Sequence, residues 1–110
     1  NIIANKDFAR DHSDVVKRFL AASKKGWRDA LLDPEKAVAT LKKRYPETDT
    51  KVALATLKAQ LVWIGSPQEV NNLFDQTTER WSDVLATYRS FEMIKSNLQS
   101  IDVYSNQYLQ

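Results

Sequence analysis

The sequence of 110 residues contains no cysteine, only two glycines and three prolines, and a single histidine. Without cysteine the chain can form neither disulfides nor thiolate zinc sites, and it has no cysteine nucleophile. So few glycines and prolines supply too few tight turns for a many-stranded sandwich or barrel. One histidine among scattered carboxylates gives no converging set of metal ligands. We therefore expect a chain that needs neither a metal nor a cofactor.

Charge and hydropathy exclude two further classes of partner. Sixteen basic and 14 acidic residues leave a formal net charge of +2, which is too balanced to indicate nucleic acid or an anionic membrane. No apolar run approaches the roughly 20 residues that a membrane-spanning helix needs. The chain opens with Asn1 and without a signal-peptide pattern, so we expect a mature product or an excised piece of a longer protein.

The only arrangement that imitates a catalytic group is formed by His12, Ser13 and Asp14. Adjacent residues project in different directions, so these side chains cannot take the geometry in which a base is oriented toward a nucleophile. The two glycines stand 39 residues apart, so the chain has no glycine-rich phosphate loop. We expect His12 to lie at a helix junction, and we expect no enzyme activity and no catalytic residue.

Helical spacing of apolar residues dominates the first third of the chain. The pattern predicts a short helix capped by Asn5, with Phe8 facing inward, and then a long helix over residues 14–32 with Ser13 as its N-cap. Gly26 lies inside the long helix, where glycine costs about 1 kcal/mol relative to alanine. We interpret Gly26 as the point where a neighbouring element crosses closely.

Capping residues set the limits of two further helices. Asp33-Pro34-Glu35 combines an N-cap, a proline at the first helical position and an acid in the first turn, and Pro46 stops that helix. Thr48 or Asp49 caps the next helix, which runs to about Ile64. Gly65 is well placed to end it.

The last third is less regular. Residues 65–77 are predicted to form a long connection with about one turn of helix, and Thr77 or Thr78 then begins a helix that ends near Ile94. A loop and a short final helix capped by Asp102 follow. The predicted fold class is mainly α, with four to five helices and little or no strand.

The three tryptophans are the clearest candidates for a partner or ligand surface. Trp27 and Trp81 fall on apolar stripes, so we expect both to pack in the core. Trp63 falls off the stripe formed by Leu54, Leu57 and Leu61, which makes it the best candidate for an exposed aromatic side chain.

One long stretch resembles a known family. The residues "ANKDFARDHSDVVKRFLAASKKGWRDALLDPEKAVATLKKRYPETD" are similar to a characteristic part of the NMT1/THI5-like solute-binding proteins. The order of features carries the resemblance: an acid-start helix, Phe-Leu, Gly-Trp, Ala-Leu, and then Asp-Pro-Glu with Ala. The tail is also similar, since Trp81 opens a helix and "IDVYSNQYL" resembles the family's Tyr-Thr-Asn-Glu-Phe-Leu ending. Phe91-Glu92 stands where the family has a glycine-containing turn, so the end of that helix is expected to differ.

The resemblance implies a larger whole. It covers nearly all of this chain, but it corresponds to only about the last third of a family member. A full member has two α/β lobes joined by a hinge and holds its ligand between them. Residues 1–110 would then be a single helical domain, or a fragment with the helical C-terminal part of a type II periplasmic-binding-protein fold. Because the strands and most ligand loops would lie upstream, the only ligand-binding candidates here are Asn5, near the hinge, and Trp63.

The implied function is that of a solute-binding protein of an ABC transporter, or of a periplasmic sensor. Its ligand would be a thiamine-pyrimidine precursor, a sulfonate, taurine or nitrate. Its partners would be an ABC permease or a signalling domain, with no nucleic acid, and the isolated fragment could form a homodimer. The location would be periplasmic or extracellular, with membrane association through a partner or a lipid anchor.

A helical protein–protein interaction module is the alternative. "ALLDPEKAVATL" resembles the Ala-Leu-x-x-Asp-Pro junction of tetratricopeptide arrays, and Ser66-Pro67 follows Asp33-Pro34 by 33 residues. A true repeat should also echo the surrounding small residues, and "VWIGSPQEV" does not.

Overall fold

The computed structural model describes residues 2–66 and 69–109, and it is mainly α-helical, as the sequence predicts. Four long α-helices, two short ones and one 3₁₀ helix are present in these ranges, with no strand. In chain order they are α1 (Lys6–Asp11), α2 (Ser13–Leu32), α3 (Pro34–Arg44), α4 (Thr50–Ile64), the 3₁₀ helix Glu69–Asn72, α5 (Thr78–Ser90) and α6 (Ser100–Val103). Pro67 falls outside the described residues.

Four of the predicted N-caps are confirmed by their hydrogen bonds. Asn5 accepts from the backbone N–H of Phe8 at 3.0 Å, and Asp33 accepts from that of Lys36 at 2.9 Å. Asp49 caps α4, while Thr77 caps α5. Each of these side chains satisfies an N–H that the first helical turn leaves without a backbone partner.

Two other predicted caps are wrong by a few residues. Ser13 is the first residue of α2 rather than its cap, because the carbonyl of His12 accepts from the N–H groups of both Val15 and Val16. The N-cap of α6 is Gln99, and Asp102 lies in the first turn. The Asp102 carboxylate reaches back to accept from the N–H of Gln99 at 2.8 Å, which is the acidic half of a capping box.

The end of α5 also differs from the prediction. The helix ends at Ser90 instead of near Ile94. The N–H of Glu92 bonds the carbonyl of Arg89, and the N–H of Met93 bonds the carbonyl of Tyr88, both at 2.9 Å. This pair of bonds is a Schellman motif, which needs a left-handed residue just after the C-cap. Glu92 takes that conformation with φ of 55°.

Two packing predictions near the N-terminus are wrong. A Cβ built on Gly26 meets nothing within 4 Å among the described residues, so no element crosses there. Phe8 is 47% exposed and Ala9 is the buried residue of α1. The short α1 can bury only one narrow face, and the smaller side chain occupies it.

The chain divides into two compact units. The first comprises the described parts of residues 1–17 and 74–110; here α5 packs on α6, and Ala9 and Leu85 are buried. The second comprises the described parts of residues 18–73, where α3 packs on α4. Its buried side chains are Leu20, Ala30, Val38 and Val70.

Both units leave much apolar surface in contact with solvent. The accessible surface is 8673 Å², whereas a compact protein of this mass exposes about 6,200 Å² and two separate compact proteins of half the mass about 7,500 Å². Val70 is the only side chain among the described residues with less than 2% exposure. The helices therefore present apolar faces that their own units do not cover.

Among the described residues, no helix has both the length and the apolar character required to cross a bilayer.

Candidate functional site

An open apolar groove of about 330 Å³ lies in the second unit. Helix α3 contributes Ala37, Val38 and Leu41, and α2 contributes Ala30; from α4 come Ala53, Thr56, Leu57 and Gln60. Proline and the Asp33 cap begin α3, and the Asp49 cap begins α4 after a short turn, so the two helices form a hairpin. Small residues at Ala30, Ala37 and Ala53 leave the space between these helices unfilled.

An ion pair ties the two helices together. Lys58 Nζ lies 2.8 Å from Glu35 Oε1, with both side chains more than half exposed. The hydrogen bond from Lys58 lowers the pKa of Glu35. Exposed pairs of this kind contribute little stability because solvent screens them, so the pair adds little to the stability of the hairpin.

The outer face of α4 is exposed and apolar. Val52 is 63% exposed, Val62 79% and Trp63 90%, and α4 has no buried residue. The prediction that Trp63 is exposed is confirmed, while its role as a ligand-binding residue stays a prediction. Trp27 and Trp81 are both partly buried.

Asn5, the other ligand-binding candidate, has a structural use. Its side-chain oxygen caps α1, and the residues before α1 include Ile2 and Ile3, which are 42% and 93% exposed. Asn5 belongs to the first compact unit and Trp63 to the second. A role for Asn5 in ligand binding also stays a prediction.

A polar network in the first unit was not predicted. Gln76 and Asn106 exchange two hydrogen bonds, of 3.0 and 2.8 Å. Gln76 also accepts from the indole N–H of Trp81 at 3.0 Å. Thr78 and Tyr104 share a hydrogen bond of 2.7 Å, and the ring of Tyr104 is parallel to that of Trp81. The network fastens the C-terminal segment to the start of α5. In the sequence, the only indication of this network was that Trp81 and the tail resemble a family pattern.

A second unpredicted contact joins α2 to the 3₁₀ helix. Lys24 Nζ donates to the backbone carbonyl of Asn71 at 2.8 Å, and Arg28 donates to its side-chain oxygen at 2.6 Å. Lys24 and Arg28 are one helical turn apart, so both reach the same residue. The contact holds the helix that carries the buried Val70.

The turn after α4 depends on a carboxylate. Glu69 Oε2 accepts from the backbone N–H of Ser66 at 2.6 Å, and this bond lowers the pKa of Glu69. Gly65 precedes it with φ of 92° and ψ of −151°, a region that only glycine adopts readily. A Cβ on Gly65 would collide with the Glu69 carboxylate.

Side chains suited to catalysis do not converge in the described parts of the chain. No group of three histidine, aspartate or glutamate residues there could hold a metal ion. His12 lies between α1 and α2, as expected, with its ring 4.8 Å from that of Phe8. Arg10 pairs with Asp11 and Asp7, and the Asp11 hydrogen bond raises the pKa of Arg10.

The comparison with known families gives one match. The family model described as NMT1/THI5 like matches residues 1–37, which include α1, α2 and the start of α3. No curated protein and no solved structure matches the chain. The resemblance predicted from the sequence is thus confirmed over residues 1–37, and it relates this stretch to a family of solute-binding proteins that are in general not enzymes.

Proposed function

We propose that the chain is the C-terminal portion of a solute-binding protein of an ABC transporter, or of a periplasmic sensor. The observation that carries this proposal is the NMT1/THI5 like match over residues 1–37. The ligand would be a thiamine-pyrimidine precursor, a sulfonate, taurine or nitrate, held between two α/β lobes. Residues 1–110 would supply the helical C-terminal part of a type II periplasmic-binding-protein fold.

The uncovered apolar surface supports the proposal. Helices that normally lie against a sheet must keep an apolar face for it, and such a face stays exposed where the sheet is absent. The excess of accessible surface over two compact units is about 1,200 Å², which is enough for a standard protein–protein contact. The same surface could instead pair two copies of the isolated chain in a homodimer.

The mechanism that follows is lobe closure. Ligand would favour the closed arrangement of the two lobes about their hinge, and a permease or a signalling domain would recognise that arrangement. The present helices would support the movement without forming most of the pocket. The location would be periplasmic or extracellular, with attachment to the membrane through a partner or a lipid anchor.

A thermal-shift screen of the chain and of its full-length parent tests the proposal. The panel contains thiamine-pyrimidine precursors, taurine, alkanesulfonates and nitrate. A raised melting temperature of the parent alone is the expected result. A raised melting temperature of the 110-residue chain would contradict the supporting role assigned to it, and no shift in either would favour the alternative function.

The alternative is a helical protein–protein interaction module, which the groove between α3 and α4 favours. Binding grooves in such modules are lined by facing helices, as this groove is. Residues upstream of Asn1 discriminate the two functions: βα-rich lobes support the solute-binding protein, and 34-residue helical repeats support the adaptor.

A further inference from the structure

The C-terminal segment formed by residues 99–109 has no core of its own. Every residue in this range is exposed or partly buried, and no residue of α6 is buried. In α5, on which the segment packs, Leu85 is only 5% exposed. Segments with few buried apolar contacts and with exposed hydrogen bonds open at a lower free energy than the core beside them. We call residues 99–109 the C-terminal strap.

Asn106 and Tyr104 fasten the C-terminal strap to the start of α5. The Asn106 side chain accepts from the Gln76 N–H and donates to the Gln76 carbonyl. The hydroxyl of Tyr104 shares a hydrogen bond with Thr78, and its ring is parallel to that of Trp81, with the ring centroids 6.4 Å apart. All three hydrogen bonds are exposed to solvent, so water can replace each partner when the strap leaves.

The surface under the strap is held by bonds in which the strap takes no part. The Gln76 side chain accepts from the indole N–H of Trp81 and donates to the carbonyl of Phe74. Both of these bonds are partly buried. The Thr77 side chain caps α5 by accepting from the N–H of Arg80 at 3.2 Å. The start of α5 therefore keeps its own contacts when the strap is removed.

The loop between α5 and the strap can serve as a hinge. The Schellman motif at Glu92 ends α5 with two hydrogen bonds that join residues 88–93 to one another. Residues 95–98 are exposed, and Arg89 donates to the carbonyl of Leu98. A motion about residues 94–98 would break the Arg89 bond, but it would leave the end of α5 intact.

We infer that the C-terminal strap is a cover that opens as one unit while α5 stays folded, and that it controls access to Trp81 and to the backbone of Gln76. In the closed state Tyr104 and Asn106 occupy these groups. Fraying of the chain end is a different motion, because it would release Leu109 while Tyr104 and Asn106 stay bound. This inference does not depend on solute binding.

Native-state amide hydrogen exchange of the 110-residue chain, followed by NMR, tests the opening. The Gln76 N–H lies outside the strap, but it can exchange only after Asn106 has left it. Its protection factor and that of the Leu109 N–H, which bonds the carbonyl of Asn106, should be about tenfold or more below that of Leu85. Both should change little at low denaturant concentrations, because the opening exposes little surface. Protection of Gln76 equal to that of Leu85, with or without loss at Leu109, would overturn the inference.

A substitution away from Gln76 tests whether the strap opens as one unit. Tyr104→Ala removes the ring contact and the Thr78 bond but leaves both bonds between Asn106 and Gln76 possible. It should still lower the protection of the Gln76 N–H about fivefold, and it should leave that of Leu85 unchanged. Ile101→Ala is the control within the strap, since this side chain is 80% exposed, and it should change neither amide. Unchanged protection of Gln76 in Tyr104→Ala, or an equal loss at Leu85, would overturn the inference.

Fluorescence quenching by acrylamide tests the control of access. In a chain with Trp27→Phe and Trp63→Phe, Trp81 is the only tryptophan. Adding Tyr104→Ala should raise the quenching constant about twofold, because the indole is then covered for a smaller fraction of the time. Adding Ile101→Ala instead should leave it unchanged. Equal quenching constants in all three chains would refute the covering role of the strap. None of these outcomes bears on the thermal-shift screen with small solutes, so the two proposals fail separately.

Discussion

The residue that follows the C-cap of α5 has a left-handed backbone conformation, which is unfavourable for any residue that carries a Cβ. In the Schellman motif the residue after the C-cap takes positive φ, where a Cβ is crowded by the backbone and glycine is preferred. Glu92 holds this position with φ of 55°, at the point where the resembling family has a glycine-containing turn. Both hydrogen bonds of the motif are nevertheless formed.

Glu92→Gly should therefore stabilise the chain by about 0.5–1 kcal/mol, since relief of the strain exceeds the entropy gained by the unfolded chain. Guanidinium denaturation followed by circular dichroism measures the change. Met93→Gly, at the next position, supplies the control and should not stabilise. A loss of stability in Glu92→Gly would mean that the glutamate side chain makes a contribution larger than the strain.

The two glycines should respond to alanine in opposite directions. Gly26→Ala places a methyl group in open space within α2 and should stabilise by about 0.5–1 kcal/mol, because alanine favours the helix. Gly65→Ala should destabilise by more than about 1 kcal/mol, because φ of 92° disfavours a Cβ and the Glu69 carboxylate stands in its way. Thermal melts of the two variants measure both effects. Destabilisation by Gly26→Ala would restore a close-packing role for that glycine.

At the scale of elements, the boundaries that the sequence predicted are those set by local contacts. The caps of α3, α4 and α5 bond N–H groups two or three residues ahead, so a short window of sequence contains both partners. Gln76 and Asn106 are 30 residues apart, and their pairing depends on how the C-terminal segment returns to α5. No spacing rule predicts such a contact. Trp63 was predictable as exposed because its phase relative to Leu57 and Leu61 follows from helical geometry alone.

The connection between α4 and the 3₁₀ helix should be sensitive to acid. The hydrogen bond from the Ser66 N–H lowers the pKa of Glu69 below its ordinary value, so the charged form is favoured by folding. The resulting stability is fully present above the unfolded-state pKa and is lost as the pH falls through the lower folded-state pKa. Glu69→Gln should therefore have a lower melting temperature than the parent chain at pH 7, and this gap should close at strongly acidic pH.

Glu47→Gln is the matched control, since Glu47 is an exposed carboxylate in the turn between α3 and α4. Its melting temperature should follow the parent chain more closely across the same range. A gap for Glu69→Gln that is constant with pH would show that the carboxylate charge does not stabilise the turn.

For the whole molecule, the fraction of surface that folding removes from water shows how well the chain covers its own apolar residues. With 8673 Å² accessible, the chain buries about 53% of the surface of its extended state, whereas even a 60-residue domain buries about 60%. Composition did not reveal this, because the apolar content is ordinary for a globular protein. The shortfall arises from where the apolar residues lie, on helix faces that no element of their own unit covers.

The denaturant dependence of unfolding should report this shortfall. The m-value is proportional to the surface exposed on unfolding, so the 110-residue chain should have an m-value about one fifth below that of a compact protein of its length. It should also bind the dye ANS in the folded state, which compact monomers do weakly. A full-length parent that covers the same helix faces should lose this ANS binding. An ordinary m-value together with no ANS binding would mean that the chain covers its own apolar faces in solution and requires neither lobes nor a docking partner to do so.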